Sequence, residues 1–273
     1  MKDLKPSDHT SIYTAMVETK RMTNTAGQKH TILTCDQQLY KIMVDITWVY
    51  PDVFPDFIPR LGGMHLFMSF IRSIGNLMAN SGLEEILEKS FAGVKKMLSG
   101  KKFPMNLRAL RMIVEELLRN HITNMEDCID LEAFLKIASE RSLTAKHWVE
   151  NLIKPIFICL LFARAEREGE WLLHLSAVKA MLPYFFAAGH HNYARYASYY
   201  LWNMENLPDE ILARFMKGEH VMRHQDGFWN GILSGMFIET TFMWYGKGPG
   251  GIVGVTLEMG QQPSHHHPNI ERS

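Results

Sequence analysis

Apolar residues recur at intervals of three and four along most of the chain, and this spacing predicts a helix-rich protein. The clearest stretches run from Gln37 to Val49 and from Met64 to Met78. Further helices are predicted at 84–98, 106–120, from an Asp130 cap onward, from Thr144 onward with a kink at Pro155, at 171–187, at 192–204, and from Pro208 to Gly218. Because each apolar stripe must be buried, we expect residues 66–218 to pack as one antiparallel helical array.

Short β-branched runs flank this array at both ends. Residues 31–35 predict a strand that leads into Asp36, and residues 53–58 predict a second short strand that leads to Gly62 and Gly63. Residues 252–256 also have the composition of a strand. The predicted fold class is therefore α-rich α/β, with small sheet elements at both ends and a large helical insertion at about 66–218.

The two ends of the chain differ from the middle in composition. Residues 1–30 are polar and predict either a loose N-terminal arm or a weak helix between Thr10 and Met22. Residues 257–273 are rich in Gly, Gln, Pro, Ser and His and predict a disordered tail. The expected organisation is an arm at 1–30, a single core domain at 31–256 and the tail.

The charge balance does not by itself favour a nucleic-acid partner. The chain has 29 Lys and Arg against 29 Asp and Glu, whereas nucleic-acid binders usually carry a basic surplus. Basic residues are nevertheless concentrated in one region: Lys95, Lys96, Lys101, Lys102, Arg108 and Arg111. This cluster is either a solvated helix face or a nucleic-acid-binding surface.

Cysteine content and hydropathy bear on the compartment. Three cysteines are too few and too scattered for a disulfide framework or a zinc knuckle, which predicts an intracellular location, in the nucleus or the cytoplasm. The longest apolar run is about half of the roughly 20 residues that a membrane-spanning helix needs. No membrane partner is predicted.

Two acids and one histidine are the candidate ligands. Asp36, at the end of a predicted strand, is either a metal ligand or a helix N-cap. Glu239 lies among apolar residues and either binds a metal or faces solvent. His65 follows two glycines, and it could ligate a metal, donate to a phosphate or cap the helix. Together they form an oxygen and nitrogen ligand set suited to Mg²⁺ or Mn²⁺, although two-metal phosphoryl transfer ordinarily needs more carboxylates.

Other motifs carry less chemistry. The pair His190 and His191 has no further ligands at zinc spacing, and the tyrosines and arginine that follow either form core or stack on bases. The glycine-rich loop around Lys247 lacks the ending of a phosphate-binding loop, and no nucleophile elbow or dinucleotide fingerprint occurs.

The chain resembles a large group of uncharacterised animal proteins that are multicopy in fish and cnidarian genomes and look like products of mobile elements. The resemblance covers most of residues 31–256. The motifs that carry it are Thr34–Tyr40, Pro59–His65, Gly100–Pro104, Glu170–Leu175, His191–Tyr196, Ile238–Thr241 and Gly250–Gly251.

This resemblance implies a ribonuclease-H-like, transposase-type core that is interrupted by a helical insertion. It implies catalytic roles for Asp36, His65 and Glu239, with Asp36 and Glu239 as the Mg²⁺ or Mn²⁺ ligands and DNA as the partner. Gly235 stands where the group carries an aspartate, and both ends look shorter than in longer relatives, without a separate DNA-binding module. We therefore expect a remnant or domesticated transposase or integrase-like core, at most a degenerate metal-dependent DNA nucleotidyltransferase or nuclease. If no activity remains, no cofactor is expected. The alternative is a non-enzymatic helical scaffold or interaction protein.

Overall fold

Two parallel strands connected through a helix form the sheet in the computed structural model, which describes residues 8–91, 93–94, 98, 103–122 and 130–221. Strand β1 (Thr31–Cys35) is followed by α2 (Gln37–Val49) and then by β2 (Phe57–Leu61). Thr31 pairs with Phe57 and Cys35 with Leu61, so both strands end at the same edge. The first strand and α2 have the predicted bounds, and the second strand begins at Phe57, later than predicted.

Helices make up most of the remaining described chain, as the apolar spacing predicted. Their bounds are α1 His9–Thr25, α3 Gly63–Leu77, α4 Leu83–Glu88, α5 Phe103–Ile122, α6 Leu131–Glu140, α7 Leu143–Trp148, α8 Lys154–Glu168, α9 Trp171–Ala187, α10 His191–Glu205 and α11 Asp209–Met216. The helix-rich class with a small sheet element is thus confirmed, whereas the strand predicted at 252–256 lies outside the described residues. None of the described helices is both long and apolar enough to cross a membrane.

The structure shows that the N-terminal stretch forms a helix, which was one of the two predicted alternatives. Asp8 caps α1, and its carboxylate accepts a hydrogen bond from the Ser11 amide. Ile12 and Met16 are buried in one cluster with Ile42 and neighbouring apolar residues. Helix α1 is therefore ordered by packing on α2, which its weak periodicity alone did not reveal.

The core is built where α9 packs against α8, α10 and α3. The Phe67 and Phe162 rings stack with centroids 5.7 Å apart, and Phe70 meets Phe185 edge-on at 5.8 Å. Tight turns at Gly169 and Gly189, both with positive φ, join the three consecutive helices. The apolar stripes of the sequence thus face one another.

The chain between α3 and α5 departs from the prediction. Gly82 is in the left-handed conformation as predicted, but it precedes α4 and does not end α3, whose last residue is Leu77. The helix predicted at 84–98 is interrupted: α4 ends at Glu88, and Val94 and Leu98 are again helical. A left-handed Asn80 already turns the chain after α3, so Gly82 is left to start the next helix.

A π-helical segment, Val149–Ile153, joins α7 to α8 where a kink was predicted at Pro155. The Lys154 amide donates to the Val149 carbonyl, five residues back. Pro155 then lies in the first turn of α8, where its missing amide hydrogen costs nothing. The irregularity therefore lies before the proline and is a widened turn.

Candidate functional site

The edge where β1 and β2 end brings two of the motifs together. Asp36 follows β1 and Gly62 follows β2, and the Gly62 amide donates to the Cys35 carbonyl at 2.7 Å. A Cβ at Gly62 would lie 2.9 Å from that same carbonyl oxygen. The close approach of the two chain ends thus requires glycine at this position, a packing role that the sequence alone did not distinguish.

Asp36 caps α2. Its Oδ1 accepts a hydrogen bond from the Leu39 amide at 2.9 Å, so the N-cap alternative is confirmed. The cap uses one carboxylate oxygen. A metal-binding role for Asp36 stays a prediction, because its proposed partner Glu239 lies outside the described residues.

An open cleft of about 370 Å³ lies beside Asp36. Three chain segments line it: the start of α2, one face of α3, and the turn that leads into α10. The lining residues are Gln37, Ser69, Arg72, Gly189, His190, His191, Asn192 and Tyr193. Segments that are far apart in the sequence, including the histidine pair, therefore meet at one polar surface.

His190 fixes the start of α10 to α3. Ser73 Oγ donates to the Ser69 carbonyl and accepts from His190 Nδ1 at 3.0 Å, while the Asn76 side-chain amide donates to His190 Nε2 at 3.3 Å. Burial, followed by the positive charge of Arg72, lowers the pKa of His190. A neutral, doubly hydrogen-bonded imidazole thus holds this wall of the cleft.

The cleft has a positively charged side around Arg72, which could bind an anion, and the acidic residue Asp36 at its edge. Arg72 is exposed and forms no ion pair with the residues that the structure describes, and the N-termini of α2 and α10 add partial positive charge. The pKa of Tyr193 is raised mainly by burial; a hydrogen bond from Ser69 opposes this shift, and the charge of Asp36 adds to it. Asp36 therefore lies close enough to act on the cleft electrostatically.

The other predicted site residues fall into two groups. His65 lies in the first turn of α3 and is half-buried. Arg108 and Arg111 are exposed on α5, and Arg111 Nε pairs with Glu115 at 2.5 Å, as on a solvated helix face. Lys95, Lys96, Lys101, Lys102 and Glu239 lie outside the described residues, so their predicted roles stay predictions.

A second polar cluster, which the sequence analysis missed, lies inside the helical core. His174 Nδ1 donates to Glu166 Oε1 at 2.7 Å, and the Tyr200 hydroxyl donates to His174 Nε2 at 2.9 Å. His220 Nδ1 donates to the Phe215 carbonyl at 3.3 Å. Trp171 stacks on His174 with centroids 5.2 Å apart. The available signal was a Glu and a His at apolar-stripe positions of α8 and α9, where a polar residue must find a partner.

Burial and mutual charge determine the ionisation of this cluster. Burial acts to raise the pKa of Glu166, but the hydrogen bond from His174 and the charge of Arg60 outweigh it and lower the pKa. Burial lowers the pKa of His174 despite Glu166. Burial and then the charge of Arg60 lower the pKa of His220 to about 3, and burial raises that of Tyr200 to about 12. The cluster therefore holds an ionised carboxylate beside neutral imidazoles and a neutral phenol.

Several buried polar atoms in this region lack a hydrogen-bond partner among the described residues. They are His220 Nε2, Arg60 Nε, Arg60 Nη2 and Trp171 Nε1. His220 and Arg60 are only 4% and 7% exposed. Unpaired buried polar groups are costly, so these atoms are available to bind a further partner.

The described residues define a helix-rich protein with a small parallel sheet, a polar cleft at the sheet edge and a buried polar cluster. The chain belongs to the family described as Domain of unknown function (DUF8702), which it matches over residues 1–131 and 115–264. Neither a curated protein nor a solved structure matches the chain.

Proposed function

We propose that this chain is a remnant or domesticated transposase core, derived from a mobile element, that holds a nucleic-acid backbone in the cleft between α2, α3 and α10. One observation supports this most: the segments after Asp36, after Gly63 and around His191 all contribute to one cleft. Gln37 and the residues from His191 to Tyr193 belong to two of the motifs that carry the resemblance to mobile-element proteins, and Ser69 and Arg72 follow a third motif, Pro59–His65, on α3. A packing role alone does not account for an open polar surface at their meeting point.

The chemistry of the cleft matches a phosphodiester. Arg72 supplies a positive charge, the exposed His191 and Asn192 supply polar groups, and the N-terminus of α10 favours negative charge. Most protein–nucleic acid hydrogen bonds go to the backbone, so such a site needs no base readout. A chain with no net charge would then bind nucleic acid through this local positive site and not through an overall excess of basic residues.

In this proposal the β1–β2 pair belongs to a ribonuclease-H-like sheet that residues 66–218 interrupt. Asp36 and Glu239 would hold Mg²⁺ or Mn²⁺, which supplies activation of a phosphoryl oxygen when it is bound. Oδ1 of Asp36 already accepts the hydrogen bond that caps α2. One of the two carboxylate oxygens of Asp36 is therefore already hydrogen-bonded, and Gly235 replaces the aspartate that the resembling proteins carry. Residual nucleotidyl transfer is expected to be weak or absent.

Fluorescence anisotropy with labelled single- and double-stranded oligonucleotides tests the binding proposal. Arg72→Gln should weaken binding several-fold and reduce the salt slope by about one. Arg164→Gln is the matched control, because Arg164 is also exposed but pairs with Glu168 on α8. Equal affinities for the two variants, or no DNA binding by the wild type, would reject the cleft as the binding site.

Plasmid nicking with Mg²⁺ or Mn²⁺ tests for residual catalysis. Asp36→Asn keeps an N-cap side chain and removes the charge, and Glu239→Gln removes the second carboxylate. Any metal-dependent nicking by the wild type should disappear in both variants. Nicking that persists in both would assign it to other residues or to a contaminant.

An exposed aromatic surface favours the helical scaffold as a second candidate function. Trp48 is 65% and Trp202 is 59% exposed, and Tyr199 joins them, since Trp48 Nε1 donates to its hydroxyl at 2.9 Å. Aromatic residues are enriched in protein interfaces. A scaffold should bind its partner through Trp48 and Trp202. The first partner to test is a second copy of the chain, whose association light scattering measures. Asp36→Asn should leave that association unchanged.

A further inference from the structure

We propose that Glu166, His174 and His220 form a binding site for a borderline transition-metal dication, with Zn²⁺ the best fit. This site lies in the helical core and is independent of the proposed cleft function. It would make the metal part of the fold that supports the cleft.

The three side chains are already close enough to share one ion. Each offers a ligand atom, and these atoms lie within 4.8 Å of one another. The shortest pair, His174 Nδ1 and Glu166 Oε1, is 2.7 Å apart. Two donors on one tetrahedral Zn²⁺, each at about 2.0–2.1 Å, lie about 3.3 Å apart. Binding therefore requires small side-chain shifts and no rearrangement of the helices.

The hydrogen bonds around the cluster also fit a bound metal. An ion bound between His174 Nδ1 and Glu166 would take the place of the hydrogen that now joins them. His174 would then be the tautomer protonated at Nε2, and this N–H would donate to the Tyr200 oxygen, which lies 2.9 Å away. His220 Nδ1 already donates to the Phe215 carbonyl. Metal-bound histidines usually donate their second nitrogen in this way.

His220 provides the second, independent observation. Its Nε2 is buried and has no partner among the residues that the structure describes. The Nδ1–H bond to Phe215 leaves a lone pair on Nε2, and one ring nitrogen of His220 lies within 4.8 Å of the ligand atoms of Glu166 and His174. A coordinated cation satisfies this atom, whereas its burial without one is unfavourable.

The donor set selects the metal. Two imidazoles and one carboxylate suit Zn²⁺, while Mg²⁺ prefers an all-oxygen octahedral site with several waters. The first turn of α3 confines the carboxylate, since a Cβ at Gly63 would lie 3.1 Å from Glu166 Oε2. A three-ligand set leaves a fourth position on the ion.

The buried Arg60 bears on that fourth position. Its positive charge acts on Glu166, His174 and His220, so it opposes a bare dication. Its Nε and Nη2 lack partners among the described residues and are available as donors. The site therefore favours a metal ion that carries an anionic fourth ligand such as hydroxide or chloride.

Metal content and Co²⁺ spectroscopy test the proposal. The protein used should carry the full chain with His265, His266 and His267 changed to Gln, because these adjacent histidines could bind metal by themselves. We expect one Zn²⁺ per chain by mass spectrometry and, with Co²⁺, the visible absorption of a four-coordinate ion. Excess Mg²⁺ should not displace either metal.

Variants then locate the site. Glu166→Gln and His220→Gln should each weaken Zn²⁺ binding at least tenfold in a chelator competition, whereas His191→Gln, which changes an exposed histidine, should not. Zn²⁺ should also raise the thermal midpoint of the wild type and not that of His220→Gln. Absence of metal from the tail variant, or Zn²⁺ affinities of Glu166→Gln and His220→Gln equal to that of the control His191→Gln, overturns the proposal. If the Gln variants do not fold, the Co²⁺ spectrum of the tail variant decides, because an octahedral spectrum overturns it.

Discussion

Glu166 Oε1 accepts the Nδ1 proton of His174 at 2.7 Å, and both side chains are almost completely buried, at 3% and 1% exposure. An ionised carboxylate in this position requires partners, because water cannot reach it. The bond joins α8 to α9, and the Tyr200 hydroxyl extends it to α10. Three helices are thus connected through polar atoms inside the helical core.

Tyr200→Phe should destabilise the protein by about 1–3 kcal/mol, because it leaves the buried His174 Nε2 without a donor. The neighbouring Tyr40 is the matched control: its hydroxyl lies near Asn203 but makes no well-formed hydrogen bond with a described residue. Tyr40→Phe should change the stability by less than about 0.5 kcal/mol. Urea denaturation measures both values, and equal losses would show that ring packing and not the hydroxyl matters.

Asp36→Ala should cost about 0.5–2 kcal/mol, because it removes the side-chain acceptor for the Leu39 amide. Asp36→Asn should cost much less, since asparagine caps equally well. The same pair of changes at Asp130, which caps α6 through the Ala133 amide, provides the comparison. A large loss in Asp36→Asn but not in Asp130→Asn would indicate that the charge of Asp36 stabilises the fold.

Gly62→Ala should destabilise the protein by about 1–3 kcal/mol through overpacking against the Cys35 carbonyl. The backbone at Gly62, with φ −69° and ψ 126°, is allowed for alanine, so strain in φ contributes nothing. Glu170→Ala, at the exposed N-cap of α9, should have an effect within about 0.5 kcal/mol. Thermal unfolding followed by circular dichroism compares them, and an unchanged midpoint in Gly62→Ala would contradict the close approach.

The pH dependence of stability should report on His190. Because the folded-state pKa of His190 is lowered, the unfolded chain binds more protons in the window just below the ordinary histidine pKa. The stability contributed by the neutral imidazole is therefore present above about pH 6.5 and is lost as the pH falls below it. His190→Gln should lose less stability between pH 7.5 and 5 than the wild type, as measured by urea midpoints. Parallel pH profiles would contradict the shift.

Cys159 should resist alkylation in the native protein. It is fully buried, and burial raises the pKa of its thiol. The reagent therefore cannot reach the sulfur, and little reactive thiolate forms. Iodoacetamide labelling at pH 8, read by peptide mass spectrometry, should be at least about a hundredfold slower than in urea. Cys35, which is partly exposed, should react at an intermediate rate. Rapid native labelling of Cys159 would show that α8 opens locally.

Helix positions followed from the sequence wherever an apolar stripe and its end signals agreed. Helix α2 begins after Asp36 and ends before Pro51, and α9 occupies the predicted Trp171–Ala187. The widened turn before Pro155 was displaced by several residues from the predicted kink, because proline marks a missing amide but not how the preceding chain adapts.

The buried cluster could not be assembled from local patterns. Arg60, Glu166, His174 and His220 come from a strand, two helices and the chain after α11, and only tertiary packing brings them together. A polar residue in an apolar stripe signals a buried partner without saying which one. The adjacency of Asp36 and Gly62 was not predicted either, because the two short strand patterns do not show that the strands pair in parallel and end at one edge.

The π turn at Val149–Ile153 holds about one residue more than an α-helical turn. Deleting one of these five residues would convert it to a regular α turn and leave the orientation of Glu166 nearly unchanged, whereas deleting one residue of α8 between Pro155 and Glu166 would rotate Glu166 by about 100° relative to the preceding chain. The π turn is therefore the point on this helix where a one-residue deletion should be absorbed best.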